Sequence, residues 1–448
     1  MFLNKNNLFF YFALVILIGS ILLYLPFSWK GDNRLSYIDA LFISTSAVSV
    51  TGLSTIDIPL FSVFGKLIIM ILIQIGGLGL IAFTSLYIIR KKKSKKISLI
   101  SRKMISEYFL SSVEFNPYNI LKNIILTTII FESIGSFILF ILFLQKGLNF
   151  NKALFYAVFH SISAFNNAGF SLYDNNLTSL KNDPLILIVI AILFNAGGLG
   201  FVVFTDLLNY FKKFFKNKKV TLKLHSQIVL LTSFFLLLIP TFIFLIVEYN
   251  NTLKDLDFDK KIVNSFFLAS SPRTAGFNSL DEAQLLPMSI FLTIFLMLIG
   301  GGSGSAAGGI KVTTFFVLIL ILYKKIDENG DIRLKTRTIS KDIIYKSNIF
   351  LLRALSIMMI STFLLMISEF HNFKNGVFTT EKLIFEVISS LSTVGLSLNI
   401  TSYFNPFSKL ILILTMFIGR LGLVSMTLQT VKNHQRNYYL PKEDILIG

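Results

Sequence analysis

The nine residues SAVSVTGLS at 46–54 decide the fold, because the chain returns to them three times. The later versions are SAFNNAGFS at 163–171, SPRTAGFNS at 271–279 and SSLSTVGLS at 389–397. With Gly52, Gly169, Gly276 and Gly395 as anchors, a phenylalanine stands ten positions earlier each time: Phe42, Phe159, Phe266 and Phe385. A serine stands six positions earlier: Ser46, Ser163, Ser270 and Ser389. Residues four apart share a helix face, so each turn is expected to follow a short helix bearing the same stripe. Val50 and Thr51, Asn167 and Ala168, Thr274 and Ala275, and Thr393 and Val394 lead into the four glycines. Leu53, Phe170, Phe277 and Leu396 follow them.

Outward from the turns the chain is apolar. About 20 apolar residues cross the roughly 30 Å of hydrocarbon in a bilayer. Eight segments qualify, around 8–28, 62–89, 122–144, 184–208, 226–247, 287–323, 347–368 and 406–431. Shorter apolar stretches near 37–50, 152–167, 261–273 and 380–393 end at the turns and read as re-entrant segments. The expected fold is an all-α polytopic membrane protein. It has four tandem parallel repeats, each a span, a pore helix with its loop, and a second span. That gives eight transmembrane helices and four re-entrant pore helices around one central pore. The expected units are 1–100, 101–222, 223–340 and 341–448, the last including the C-terminal tail. The first apolar run lacks a small-residue cleavage site and reads as a retained helix.

Composition agrees. Of 448 residues, 54% are hydrophobic and 15% charged, with a mean hydropathy of +0.71. Soluble domains carry about 25% charged residues, so this excess suits a surface facing lipid. The absence of cysteine excludes disulfides and thiolate metal sites. His160, His225, His371 and His434 are scattered, which argues against a zinc site and against a polytopic membrane enzyme with a clustered active site. No nucleotide-binding loop of the G-x-x-x-x-G-K-[ST] kind is present.

The net charge of +18 sits in blocks between apolar runs. Lys91, Lys92, Lys93, Lys95, Lys96, Arg102 and Lys103 form the first, and Lys212, Lys213, Lys216, Lys218, Lys219 and Lys223 the second. Lys324, Lys325, Arg333, Lys335, Arg337, Lys341 and Lys346 form the third, and Lys432 and Arg436 follow the last span. Short basic loops stay in the cytoplasm, so topology accounts for the charge and no nucleic-acid partner is expected. Both termini are then cytoplasmic in a cell membrane, the four turns face outward, and the basic loops meet acidic membrane lipid. Successive units run parallel, unlike those of inverted-repeat transporters.

A turn buried in a membrane leaves carbonyls without partners, which is tolerable where the backbone lines an ion- or water-filled cavity. Four such turns around an axis offer rings of oxygens that replace a cation's hydration shell. The C-terminal, partly negative end of each short helix favours the same charge.

These four segments, with GGSGSAAGGIKVTT at 301–314, resemble the pore loops and gate of the Ktr/Trk/HKT superfamily of potassium transporters. The closest likeness is to the bacterial Ktr-type membrane subunit. The resemblance implies a K+ selectivity filter at Val50, Thr51, Gly52 and Leu53; Asn167, Ala168, Gly169 and Phe170; Thr274, Ala275, Gly276 and Phe277; and Thr393, Val394, Gly395 and Leu396. In the family a glycine at the first of these turns goes with potassium and a serine with sodium, so Gly52 implies potassium. The resemblance further implies a homodimer seated on a cytosolic ring of nucleotide-binding, RCK-type regulatory subunits. No cofactor is expected in this chain, and sodium as an activating ion stays open. A monovalent Na+/K+ transporter and a secondary transporter of another substrate remain the alternatives.

Gly300, Gly301, Gly302, Ser303, Gly304, Ser305, Ala306, Ala307, Gly308 and Gly309 interrupt the sixth span. Each glycine costs about 1 kcal/mol in a helix relative to alanine, so a flexible gate loop is expected, with a small-residue packing face as the alternative. Arg420, in FIGRLGL, is a charge inside the last span, which usually faces a cavity. The family likeness places such an arginine in the pore below the filter; structural pairing is the plainer reading. Glu132 and Arg353 are further intramembrane charges, expected to pair with each other or with pore-helix ends. Asp39 is expected to cap the first short helix. The clusters Gly76, Gly77, Gly79 and Gly197, Gly198, Gly200 are expected to permit bending or close packing.

Overall fold

Helices dominate the residues that a computed structural model describes, 6–92, 117–217, 221–334 and 337–422. Helices α1 (Asn6–Tyr24), α2 (Tyr37–Ser49) and α3 (Val63–Lys92) come first. Then follow α4 (Pro117–Gln145), α5 (Phe150–Phe165), α6 (Pro184–Leu199) and α7 (Phe201–Phe214). The third group is α8 (Leu224–Val247), α9 (Phe258–Ser270), α10 (Pro287–Leu298) and α11 (Val312–Tyr323). The last is α12 (Lys341–Ser368), α13 (Phe370–Lys374), α14 (Thr380–Leu391) and α15 (Pro406–Phe417), which runs into a π-helical turn at Ile418–Gly422. An antiparallel hairpin, Ile332–Leu334 with Arg337–Ile339, joins α11 to α12. The basic residues between 93 and 103, and Lys218, Lys219, Lys335, Lys432, His434 and Arg436, lie outside the described residues.

Local chemistry sets the boundaries. Pro184, Pro287 and Pro406 open α6, α10 and α15, where a missing N–H costs nothing. The cap of α2 is Ser36, not Asp39: the Ser36 hydroxyl accepts from the Asp39 amide and donates to its carboxylate at 2.7 Å. Asp39 is thus a first-turn residue, placed favourably for the helix dipole.

Among the described residues, α4, α8 and α12 are long and apolar enough to cross a membrane. Phe137, Phe242 and Phe363 stand exposed on them, as expected where lipid replaces water. The single span expected over 184–208 is broken: α6 and α7 meet at Gly200 with a 97° bend. Gly200 has φ 92° and ψ 145°, a conformation that ends a helix and that a Cβ would oppose. The long sixth segment likewise divides into α10 and α11 around the glycine loop.

The short helices α2, α5, α9 and α14 lie inside the longer ones. Most of their residues are buried, including Phe42, Phe159, Phe267 and Phe385. Their C-terminal ends, and the turns that follow, form the centre of the molecule.

Candidate functional site

The four turns share one backbone pattern. Gly52, Gly169, Gly276 and Gly395 have φ of 97°, 69°, 75° and 98°. Two residues earlier, Val50, Asn167, Thr274 and Thr393 also have positive φ, between 51° and 67°. The residue between has negative φ in every turn. Backbone that alternates between positive and negative φ can turn successive carbonyls toward one side, where a strand would alternate them. Positive φ at the β-branched Val50, Thr274 and Thr393 is strained, and such strain collects at functional sites. Nothing in the sequence pattern points to it, because β-branched residues are poor choices for that conformation.

The turns close on one another in order. A Cβ placed on Gly52 would collide with the Ala168 carbonyl oxygen, one on Gly169 with that of Ala275, one on Gly276 with that of Val394, and one on Gly395 with that of Thr51, all inside 3.0 Å. The sequence of contacts 52, 169, 276, 395 and back to 52 is a ring. No side chain fits between its members, and the four carbonyls preceding the glycines lie around it.

The recurring serines hold this ring. The Thr51, Ala168 and Val394 amides donate to the carbonyls of Ser46, Ser163 and Ser389 at 2.7–2.8 Å. Ser46 and Ser389 hydroxyls accept from the glycine amides at 3.0 and 3.1 Å, and Ser163 donates to the Phe170 carbonyl at 2.8 Å. The third turn departs from the expected alignment. There Ser271, not Ser270, takes the role: its hydroxyl donates to the Phe277 carbonyl and its carbonyl accepts the Ala275 amide. Phe267 is likewise the buried ring, while Phe266 is half-buried. The sequence pair Phe-Phe and Ser-Ser made both registers readable, and packing selects the later one.

On one side of the ring is a cavity of about 820 Å³ whose lining includes Gly52, Gly169, Gly395 and the carboxylates Asp57, Asp174 and Asp281. Burial, helped by the charge of Asp174, pushes the Asp57 carboxyl above the usual range. On the other side, Asn167 Oδ1, Thr274 Oγ1 and Thr393 Oγ1 are buried with no hydrogen-bond partner among the described residues. Three orphaned oxygens around one axis suit water or a cation.

The glycine loop lies against this second side. A Cβ on Gly308 would strike Thr393 and the Ser392 carbonyl. The loop's neck is pinched by Gly300 N to Ile310 O at 2.9 Å and Ile310 N to Leu298 O at 3.0 Å. Arg420, 7% exposed, donates to Ala306 O in the loop and to Gly76 O on α3, the latter at 2.8 Å. Lys311 donates to Ala307 O. Arg420 was singled out in the sequence as a charge inside the last span, and Lys311 was not.

Glu132 and Arg353 do not pair. Glu132 accepts from Asn166 at 2.9 Å and from Gln74 at 3.3 Å. Asn166 is the residue that ends α5, so of the two alternatives the end of a short helix is found. Arg353 Nη1 has no hydrogen-bond partner among the described residues. Several buried charges went unnoticed in the sequence, Arg273 and Glu386 among them. Arg273 reaches Ser233 on α8 at 3.1 Å, and Glu386 accepts from Thr401 at 3.1 Å and from Ser397. Each stands beside one turn; a charge among apolar neighbours was the available signal for Glu386, and a charge inside the repeated turn segment for Arg273.

The profile of a protein family described as "TrkH: Cation transport protein" matches residues 11–440. The chain is similar to "Ktr system potassium uptake protein B" of Bacillus subtilis (strain 168), at 37% identity over 98% of this chain and 95% of that one. It is similar to "Potassium/sodium uptake protein NtpJ" of Enterococcus hirae, at 34% identity over 98% and 95%. Among solved structures, the potassium transporter TrkH from Vibrio parahaemolyticus shares the fold, with a TM-score of 0.71 at 16% identity over 97% of this chain and 86% of that one.

Proposed function

The chain belongs to the TrkH family of cation transport proteins, and from that premise we propose that it is a membrane subunit that passes K+ across the cell membrane. It is a transporter and not an enzyme. The observation that carries the proposal is the closed ring of glycine turns, with carbonyls around its rim. A dehydrated potassium ion needs several oxygens in place of its water shell, and a ring assembled from backbone offers them without a carboxylate.

In this reading residues 1–100, 101–222, 223–340 and 341–448 each supply a span, a pore helix and a second span around one pore. Val50 to Leu53, Asn167 to Phe170, Thr274 to Phe277 and Thr393 to Leu396 make the filter. The acidic cavity of about 820 Å³ is the outer mouth. The orphaned oxygens of Asn167, Thr274 and Thr393 serve the ion where it leaves the ring. The loop from Gly300 to Gly309 is the gate. Arg420 holds the loop shut and places a positive charge on the path, while both termini face the cytoplasm.

Two copies of the chain would sit on a cytosolic nucleotide-binding ring. The ion is cargo, and the proposal gives the chain no cofactor; sodium would act as an activating ion at most. The name of the Enterococcus hirae relative favours a second reading, in which sodium passes as well. Uptake of rubidium against sodium into vesicles holding the purified chain separates the two.

A further inference from the structure

Helix α7 leaves α6 at a right angle and has two opposite faces. At 3.6 residues per turn, Leu207, Leu208, Phe211, Phe214 and the following Phe215 fall on one half of its circumference, and Asp206, Asn209, Lys212, Lys213 and Lys216 on the other. The apolar half is bare: Leu208 is 53% exposed, Phe211 50%, Phe214 59% and Phe215 81%. Lys218 and Lys219 follow in the sequence. A helix of this kind, set square to a membrane-embedded one, lies in the plane of the lipid interface. Its rings enter the acyl boundary and its lysines reach the phosphates.

The near end of α7 is tied to the glycine loop by backbone hydrogen bonds. The Gly302 amide donates to Gly198 O at 2.7 Å, and the Phe201 amide donates to Gly304 O at 3.2 Å. Gly200 lies so close to the Ser303 carbonyl that a Cβ would not fit. Further along, α7 is held to the start of α8, where the Lys223 amide donates to Asp206 at 3.0 Å. Tilting α7 therefore moves the elbow 198–201, and the elbow carries the loop.

We propose that α7 is seated in the anionic cytoplasmic lipid surface and that this seat, relayed through the elbow, holds the loop 300–309 in place. Anionic lipid then regulates the pore; that last step rests on reading the loop as the gate. Each lysine near an anionic surface favours the seat roughly fivefold, so three of them make it sensitive to lipid charge.

The test uses the full chain in vesicles of phosphatidylcholine alone or mixed with phosphatidylglycerol. Phe215→Trp, in a Trp29→Phe background, reports the seat. Quenching by lipids brominated near the headgroup, with shielding from iodide, is expected; iodide quenching without lipid quenching overturns the seat. A cross-link from position 215 to a second copy of the chain would overturn it in favour of a protein contact. Hydrogen exchange over 198–204 and 300–309 reports the relay. Exchange should slow severalfold in anionic vesicles, and K212Q/K213Q/K216Q should abolish that slowing. Equal exchange in both lipids overturns the relay. Rubidium flux should follow the exchange, and flux indifferent to lipid charge overturns the regulatory step. Absence of flux in every vesicle would count against the transport reading alone, since quenching and exchange need none.

Discussion

Lys409, in the first turn of α15, donates a 2.6 Å hydrogen bond to Asp39 in the first turn of α2, joining positions 370 residues apart. Both side chains are 13% exposed, and Thr55 donates to the same carboxylate oxygen at 2.7 Å. The contact ties the first group of helices to the last, which is what closing a linear chain into a ring demands. Burial raises the Asp39 carboxyl, but the hydrogen bonds from Lys409, Ser36 and Thr55 outweigh it and hold the group below its usual value. A lowered carboxylate contributes stability above its unfolded value and loses it as pH falls through the folded one. Removing either partner leaves a buried charge, costing about 3 kcal/mol. Asp39→Asn and Lys409→Met are each expected to lower the melting temperature in detergent at neutral pH. The gap to the parent should close in acid. Equal melting temperatures at neutral pH would show the pair to be incidental.

Glu282 works in the opposite direction. It lies in a loop before α10, 2% exposed. Burial first, then the charges of Asp281 and Glu248, push its carboxyl up to about 8. The folded protein therefore holds a proton that the unfolded chain releases near its ordinary value. Stability from this group is full in acid and falls as pH rises toward 8. Glu282→Gln should raise the melting temperature at pH 8 and leave it nearly unchanged at pH 5; a uniform shift at both values would contradict the assignment.

The register of the third turn gives a paired prediction. Ser271→Ala removes the donor to the Phe277 carbonyl and leaves that oxygen buried, at about 2 kcal/mol. Ser270→Ala loses only a 3.2 Å bond within its own helix. Rubidium uptake should fall severalfold in the first variant and stay near the parent in the second. The reverse order would restore the sequence alignment over the structural one.

Arg420 and the loop should fail together. Arg420→Gln removes the charge and weakens the bond to Ala306, and deletion of 303–307 removes the loop's tip. Either change should raise uptake severalfold, and the two combined should add little to the deletion alone. Full additivity would mean that they act at separate points on the path.

Much of this architecture was legible because its physics is periodic. Four short helices at fixed distance from four glycines can be read from Phe42, Phe159, Phe385 and their serines, and a run of small residues cannot hide inside a helix. What escaped depends on contacts that no spacing encodes. Val50 and Thr393 adopt positive φ because the ring imposes it, against their own preference. Gly200 looks like any packing glycine until its φ turns a span through a right angle. Ser271 replaces Ser270 because the buried ring is Phe267. Asp39 resembles a cap, yet Ser36 takes that place and frees the carboxylate for a lysine at the far end of the chain.

The most direct test of the glycine ring as a potassium filter is uptake of rubidium and of sodium into proteoliposomes, with Gly52→Ser measured beside the parent. A Cβ at position 52 would press on the Ala168 carbonyl, and the backbone there has φ 97°, so the ring must distort even where the protein still folds. The account predicts that the parent takes up rubidium in strong preference to sodium and that the variant, inserted equally well, loses that preference. A variant that keeps the parent's selectivity would contradict it.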